Sequence, residues 1–98
     1  MPNKTDKTFM VKYDSRSDVL YISTRSAPST RGVEDRYGIV WRYEGGELIG
    51  ATIIDFHDRW HDDQSMLALQ LAKHFDIPAK EAEIVLEHAT EEKGKPRN

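Results

Sequence analysis

The residues best suited to chemistry lie together between positions 55 and 63, in the segment Asp-Phe-His-Asp-Arg-Trp-His-Asp-Asp. Two histidines in it are four positions apart, a spacing that places two imidazoles on one side of a helix. Zinc and other divalent transition metals accept imidazole and carboxylate ligands. One hypothesis is therefore a metal-binding protein or metal-dependent hydrolase whose ligands are His57, His61, Asp55 and Asp58.

Other carboxylates in the chain have structural explanations. Asp62 or Asp63 can cap the helix that follows, where a negative charge interacts favourably with the helix dipole. Asp14 and Asp18 bracket a turn and resemble a catalytic carboxylate pair. Acidic residues at hairpin corners, however, more often accept hydrogen bonds from nearby backbone N–H groups. We therefore predict no catalytic residue and no cofactor, and we expect a non-enzymatic protein.

The N-terminal half carries most of the arginines. A planar guanidinium can hold a carboxylate or a phosphate with two hydrogen bonds at once, so these residues could contact an acidic partner protein or RNA. The alternative is a scattered set of surface arginines without a common ligand. The candidates for anion or partner contact are Arg16, Arg25, Arg31 and Arg36.

The elements that would position these residues begin with strands. Alternating apolar residues, rich in β-branched and aromatic types and separated by turn residues, predict four to five antiparallel strands. The pair Gly45-Gly46 suits a type I′ hairpin turn. Gly50 marks a bulge or a close approach of two backbones. The predicted strands span about 9–13, 18–23, 33–35, 38–43 and 47–56.

After residue 60 the apolar period changes from two to 3.6, which predicts two helices, about 63–75 and 79–90, with Pro78 at the start of the second. The first helix is expected to bury a broad face that includes Leu67, Leu69 and Leu71. The fold class is therefore α+β, an antiparallel β-meander followed by a helical hairpin. We expect one domain, residues 9–90, between disordered tails at 1–8 and 91–98.

The helical hairpin also resembles a helix-turn-helix, which would make the protein a nucleic-acid binder. Two observations oppose this hypothesis. Asp76 stands where the motif expects a glycine at the turn. From Gln64 to Glu92 the segment holds two lysines against six acidic residues, a charge that phosphates would repel. A hairpin that covers the core of the domain is the favoured interpretation.

The N-terminal half resembles a known family. The segments VKYDSRSDVLYIS (11–23) and VEDRYGIVWRYEGGELIGATIIDF (33–56) follow, in order, the motifs of the domain-of-unknown-function family 2283. The first motif is carried by Tyr13, Asp14, Asp18, Leu20, Tyr21 and Ile22. The second is carried by Gly38, Ile39, Val40, Tyr43, Gly46, Gly50, Ile53 and Asp55. The resemblance implies a small prokaryotic or phage domain without an established activity. An association of such domains with small toxin genes suggests an antitoxin-like role for this protein, with a small toxin as its partner.

Composition sets the broad class. The chain has 98 residues, a net charge of −3 and no cysteine, so disulfides and thiolate chemistry are excluded and a general nucleic-acid binder is not favoured. No stretch approaches the ~20 apolar residues of a membrane span. The polar start shows no apolar signal-peptide region. We expect a cytoplasmic protein that does not bind a membrane.

Apolar residues occur on both sides of the predicted strands, whereas one helical hairpin can cover only one side of a sheet. Leftover apolar surface is typical of an interface, and a two-fold homodimer is its commonest form. We therefore expect a protein-interaction domain that self-associates, with an antitoxin-like partner of a small toxin as the alternative. Candidate interface residues outside the predicted buried stripes are Ile84, Met66 and Trp60.

Overall fold

The computed structural model describes residues 8–25 and 28–94, and for residues 90–94 it describes the backbone. In this part of the chain there are five strands followed by three helices. Of the predicted tails at 1–8 and 91–98, residues 1–7 and 95–98 lie outside the described residues. Residues 91–94 continue the last helix, so the predicted end of that helix at 90 is wrong. The elements are β1 (Met10–Asp14), β2 (Val19–Ser23), β3 (Arg31–Glu34), β4 (Ile39–Glu44), β5 (Glu47–Ile54), α1 (Phe56–Trp60), α2 (Gln64–Phe75) and α3 (Ala79–Gly94).

The five strands form one antiparallel sheet in the order β1-β2-β5-β4-β3. The predicted α+β class and its meander-like sheet are confirmed. Consecutive strands pair except at one point: after β2 the chain crosses to the far edge of the sheet and returns through β3 and β4. As a result β5, the last strand in the chain, is the central strand of the sheet.

The structure agrees with two predictions made from glycines, one in the turn between β4 and β5 and one within β5. Gly45 and Gly46 have φ values of 58° and 87°, as a type I′ turn requires. In β5 the register with β4 shifts, so that Arg42 pairs with Gly50 and Tyr43 pairs with Leu48. A Cβ atom on Gly50 would lie 2.8 Å from the carbonyl oxygen of Ile22. The bulge and the close approach are therefore both present.

One face of the sheet packs against the helices. In the register, Leu20 of β2 lies beside Ile53 of β5, which lies beside Ile39 of β4, and all three side chains are fully buried. The helices bury their apolar residues against this face, and together they form one core. The helical members of the core are Phe56, Trp60, Leu67, Ala68, Leu71, Phe75, Ala82, Val85, Leu86 and Ala89.

The helices differ from the prediction in two places. The five-residue helix α1 was not predicted, because it is too short to show a 3.6-residue period. Leu69 was expected on the buried face of α2 but is 52% exposed. At about 100° per residue, Leu69 lies about 145° from the centre of the buried arc around Leu67, Ala68, Leu71 and Phe75, so the predicted face was too broad. In the described residues, every helix is too short or too polar to cross a membrane.

Candidate functional site

The two histidines of the predicted metal site do come together. Helix α1 places the His57 and His61 rings with centroids 5.0 Å apart and planes 20° from parallel. The Nδ1 atom of His61 lies 3.1 Å from the carbonyl oxygen of His57, and its Nε2 atom lies 3.3 Å from a carboxylate oxygen of Asp62. Among residues 8–25 and 28–94, no group of three or more histidine and carboxylate side chains is disposed to hold a metal ion. The predicted partners Asp55 and Asp58 therefore do not complete a site with this pair.

Helix α1 is held in place by an aspartate that is distant in the chain but lies at the same end of the sheet. Asp18, in the turn between β1 and β2, accepts hydrogen bonds from the backbone N–H groups of His57 (2.8 Å) and Asp58 (3.0 Å) and from the hydroxyl of Tyr13 (2.6 Å). Its own carbonyl oxygen accepts the N–H of Phe56. Asp18 thus satisfies free N–H groups at the start of a helix that lies about 40 residues later in the chain.

The same contacts set the protonation of this cluster. Partial burial favours the neutral form of Asp18, but the hydrogen bonds from Tyr13, His57 and Asp58 outweigh it and lower the pKa of Asp18. Burial, followed by the hydrogen bond to Asp18 and its charge, raises the pKa of Tyr13 to about 12. A carboxylate held ionised by a helix start and a tyrosine held neutral form a structural unit. Neither has the intermediate pKa that a general acid–base pair needs.

A second aspartate orders the turn between β3 and β4. Asp35 accepts hydrogen bonds from the N–H groups of Tyr37 and Ile39 and from the indole Nε1–H of Trp41 at 2.9 Å. The ring of His74 stacks on Trp41 with centroids 3.7 Å apart. Burial opposes ionisation of Asp35, but the indole, the two backbone donors and the charge of His74 lower its pKa. This contact joins the sheet to the end of α2.

The four predicted anion-binding arginines do not converge on one ligand. Arg25 bonds Glu44 and lies 3.4 Å from Glu47, so its charge is already balanced. Arg31 lies over the ring of Tyr43, and Arg36 lies over the ring of Tyr37. Arg16 is exposed in the β1–β2 turn. The four arginines thus have different surroundings, and a shared ligand for them stays a prediction.

The three predicted interface residues differ in their exposure to solvent. Met66 and Ile84 are 41% and 46% exposed, so both point away from the core as expected. Trp60 is only 5% exposed and packs edge-on against Tyr37, so its assignment to an interface is corrected. The sequence analysis placed Trp60 outside the buried stripes because it did not predict α1, and α1 places this side chain in the core. Its indole N–H has no hydrogen-bond partner among the described residues.

Another candidate surface is the face of the sheet opposite the helices. We call it the open face and define it by the side chains of Val19, Tyr21, Val40, Ile54 and Thr52. Tyr21 and Ile54 are 41% and 39% exposed, and the two valines are half-buried. Val19 pairs directly with Ile54, and Tyr21 pairs with Thr52, which pairs with Val40. The apolar side chains are therefore neighbours across three adjacent strands.

The sequence shows apolar residues of both parities but does not reveal the open face itself. The missing information was the register, because β2 and β5 are adjacent in the sheet and far apart in the chain. Thr52 shows how closely this face is packed: it is a polar residue with 6% exposure, covered by Arg42, whose Nε donates to its hydroxyl at 2.7 Å.

One end of the open face forms a shallow cleft of about 340 Å³. Its floor is the backbone at Gly50, and its rim includes Tyr21, Arg42 and the β2–β3 loop at Pro28 and Ser29. The close approach of Gly50 to Ile22 leaves no room for a side chain at this point of the floor. The cleft marks the boundary of the open face on the side of the loop.

The helical hairpin does not gain the features of a nucleic-acid reader. Asp76 has a φ of 58°, so it adopts the left-handed conformation that a glycine would take, and its presence no longer argues against the motif. The exposed side chains along α3 from Ala79 to His88 nonetheless include one lysine and the two acidic residues Glu83 and Glu87. The absence of nucleic-acid binding stays a prediction that rests on this acidic charge.

Comparison with known proteins identifies a family for the sheet. The searches of curated proteins and of solved structures find no match. A family model matches the segment from the start of β1 through β5 to the first residue of α1, and the predicted resemblance is thereby confirmed. The matching model is that of the family described as Protein of unknown function (DUF2283), and the match covers residues 10–56 of this chain.

Proposed function

We propose that this protein is a non-enzymatic interaction domain that self-associates through the open face of its sheet. The observation that carries the proposal is the contrast between the two faces: the helices cover one of them, and the other exposes contiguous apolar side chains. Burial of Tyr21, Ile54 and their neighbours against a second copy would remove this surface from water.

The sheet face is a better candidate than its edges. β3 is a four-residue edge strand with charged residues, Arg31 and Glu34, at both ends, and all four residues are exposed. Short, charged edges of this kind oppose pairing with another strand. Two antiparallel sheets can instead pack face to face about 10 Å apart.

The face is also a better candidate than the helices. Met66 and Leu69, three positions apart on α2, form an exposed apolar patch of only two residues, and Ile84 on α3 is exposed between the charged residues Lys80 and Glu87. The open-face residues contact one another across hydrogen-bonded strands, which gives a partner a continuous surface.

The size of the face predicts a weak dimer. Five strands about 4.8 Å apart and five residues deep present about 400 Å² of sheet. A standard interface buries about 800 Å² on each partner. We therefore expect association that depends strongly on protein concentration.

Sedimentation velocity combined with light scattering over a wide concentration range tests the proposal. The protein should shift from monomer to dimer, and Tyr21→Glu should hold it monomeric because a charge would be buried at the centre of the contact. The matched control is Leu69→Glu, which places the same charge on another exposed apolar residue and should leave the dimer intact. A protein that stays monomeric at the highest concentration, or a dimer lost with Leu69→Glu and kept with Tyr21→Glu, would contradict the proposal.

A further inference from the structure

A single row of residues crosses the whole open face from edge to edge. Reading the pairings from β1 to β3, Lys12 lies beside Tyr21, Tyr21 beside Thr52, Thr52 beside Val40, and Val40 beside Glu34. The row therefore has a positive charge at one edge, a negative charge at the other, and apolar side chains with a covered threonine between them.

The two charges do not compensate each other within one molecule. They are separated by four strand spacings of about 4.8 Å, or about 19 Å in all. That distance exceeds the Debye length of about 8 Å at physiological ionic strength. Lys12 and Glu34 are both exposed, and neither makes a salt bridge within the described residues. Each edge is thus available to an opposite charge from outside.

Two kinds of two-fold axis can bring this face against a copy of itself. An axis across the strands places β1 over the partner's β1 and sets like charges against each other. An axis along the strands places β1 over the partner's β3 and β2 over the partner's β4. Because β5 is the central strand of five, an axis along β5 also gives the largest overlap.

From this arrangement we infer that two copies pack face to face about an axis along β5, with Lys12 of each copy paired to Glu34 of the other. The inference rests on the proposed self-association and names its geometry. The same axis sets the more exposed Tyr21 against the half-buried Val40 of the second copy, so a protruding side chain meets a recessed one. The central residue of the row, Thr52, then lies at the axis beneath the Arg42 side chain that covers it.

The pairing tolerates the usual angle between packed sheets. A rotation of about 30° moves residues at the edge, about 10 Å from the axis, by roughly 5 Å. The long side chains of lysine and glutamate can span such an offset across facing sheets. The β2–β3 loop at Pro28 and Ser29 borders the face on the side of Gly50, so the contact is centred on the Thr52 row.

Charge reversal tests the axis. Lys12→Glu and Glu34→Lys should each raise the dimer Kd roughly tenfold, because two symmetric pairs change from attraction to repulsion. The double variant should return the Kd to within about threefold of the original, since each reversal restores the pair. A mixture of the two single variants should form a heterodimer, in which both pairs are again opposite in charge. A double variant as weak as either single variant, or single variants without effect, would overturn the axis.

A cross-linking measurement checks the same geometry without relying on charge. The chain contains no cysteine, so introduced thiols are the only reactive ones. Lys12→Cys mixed with Glu34→Cys should be joined by a bis-maleimide of about 10 Å reach, the spacing of facing sheets. Lys12→Cys alone should not be joined to itself. Self-joining of Lys12→Cys would indicate the axis across the strands and overturn the inference.

The two proposals fail in different ways. If the unmodified protein remains monomeric, self-association is wrong and the axis falls with it. If a dimer forms and Tyr21→Glu disrupts it while changes at Lys12 and Glu34 have no effect, only the axis is wrong. Both charged residues are exposed on edge strands, and thermal melting of each variant at low concentration confirms that the fold is retained.

Discussion

The two faces of this sheet are built from the same five strands and from similar apolar residues, yet they differ in their surroundings. On the covered face, Leu20, Ile53 and Ile39 are fully buried beneath the helices. On the open face, their sequence neighbours Val19, Ile54 and Val40 remain half-buried or exposed. The difference shows that apolar parity in a strand indicates which residues can be buried, whereas the covering elements decide which of them are.

Substitutions of two adjacent isoleucines should show the largest difference in stability between the covered face and the open face. Ile53→Ala should lower the free energy of unfolding by about 3 kcal/mol, because it leaves a cavity under the helices. Ile54→Ala, one residue further along β5 and 39% exposed, should lower it by less than about 1 kcal/mol. Urea denaturation at a concentration below dimer formation measures both. Equal losses for the two variants would show that the open face is covered in the monomer.

Much of the covered face could be predicted from sequence, because local signals define it. The period-two pattern placed Leu20, Ile39 and Ile53 on strands, and the Gly45-Gly46 pair marked the hairpin that joins β4 to β5. The 3.6-residue period then located α2 and the start of α3 within about one residue of where they lie.

The remainder depended on contacts between distant residues. The central position of β5 could not be predicted from the order of strands in the chain, because β2 pairs with β5 and not with β3, the next strand in the chain. Helix α1 could not be predicted from its own five residues, because Asp18, which is 39 positions before His57 in the chain, accepts its N-terminal N–H hydrogen bonds. Because α1 was not predicted, the burial of Trp60 and the stacking of His57 on His61 could not be predicted either.

A smaller effect separates two glycines that lie in the same row on the open side. Gly50→Ala should destabilise the fold by about 1–3 kcal/mol, because the new Cβ would meet the backbone oxygen of Ile22 at 2.8 Å and the strands must move apart. Gly32→Ala meets only a side-chain methyl of Val40, at 3.3 Å, and this atom can shift. Thermal unfolding compares the two. A Gly32→Ala variant that loses as much stability as Gly50→Ala would show that the backbone contact is not the cause.

The smallest expected effect on stability concerns Asp18, which accepts the N-terminal N–H hydrogen bonds of α1. Asp18→Asn should cost about 1 kcal/mol at neutral pH, because one carboxylate that caps α1 and accepts the Tyr13 hydroxyl is replaced by a neutral amide. Asparagine tolerates the positive φ of this position, so the turn itself is retained. Asp14→Asn is the matched control, since it alters the same turn without touching α1, and its effect should be smaller.

The pH dependence of Asp18 gives this variant a distinct signature. Its pKa is lower in the folded protein than in the unfolded chain, where it is about 3.9. The stabilisation from its ionised form is therefore present above about pH 4 and is lost as the pH falls through the lower, folded-state pKa. Urea denaturation at pH values from neutral to acid should show a shallower loss for Asp18→Asn than for the unmodified protein. Parallel curves would mean that Asp18 does not contribute through its charge.

The central position of β5 has a consequence for synthesis on the ribosome. Both of its neighbours, β2 and β4, are translated before it, so they can form hairpins only with β1 and β3 until residues 47–54 have emerged. The sheet is therefore complete only when β5 pairs with β2 on one side and with β4 on the other. The helices that cover it follow later still, so the nascent chain passes through a stage in which both faces of a finished sheet are exposed to chaperones and to other nascent chains.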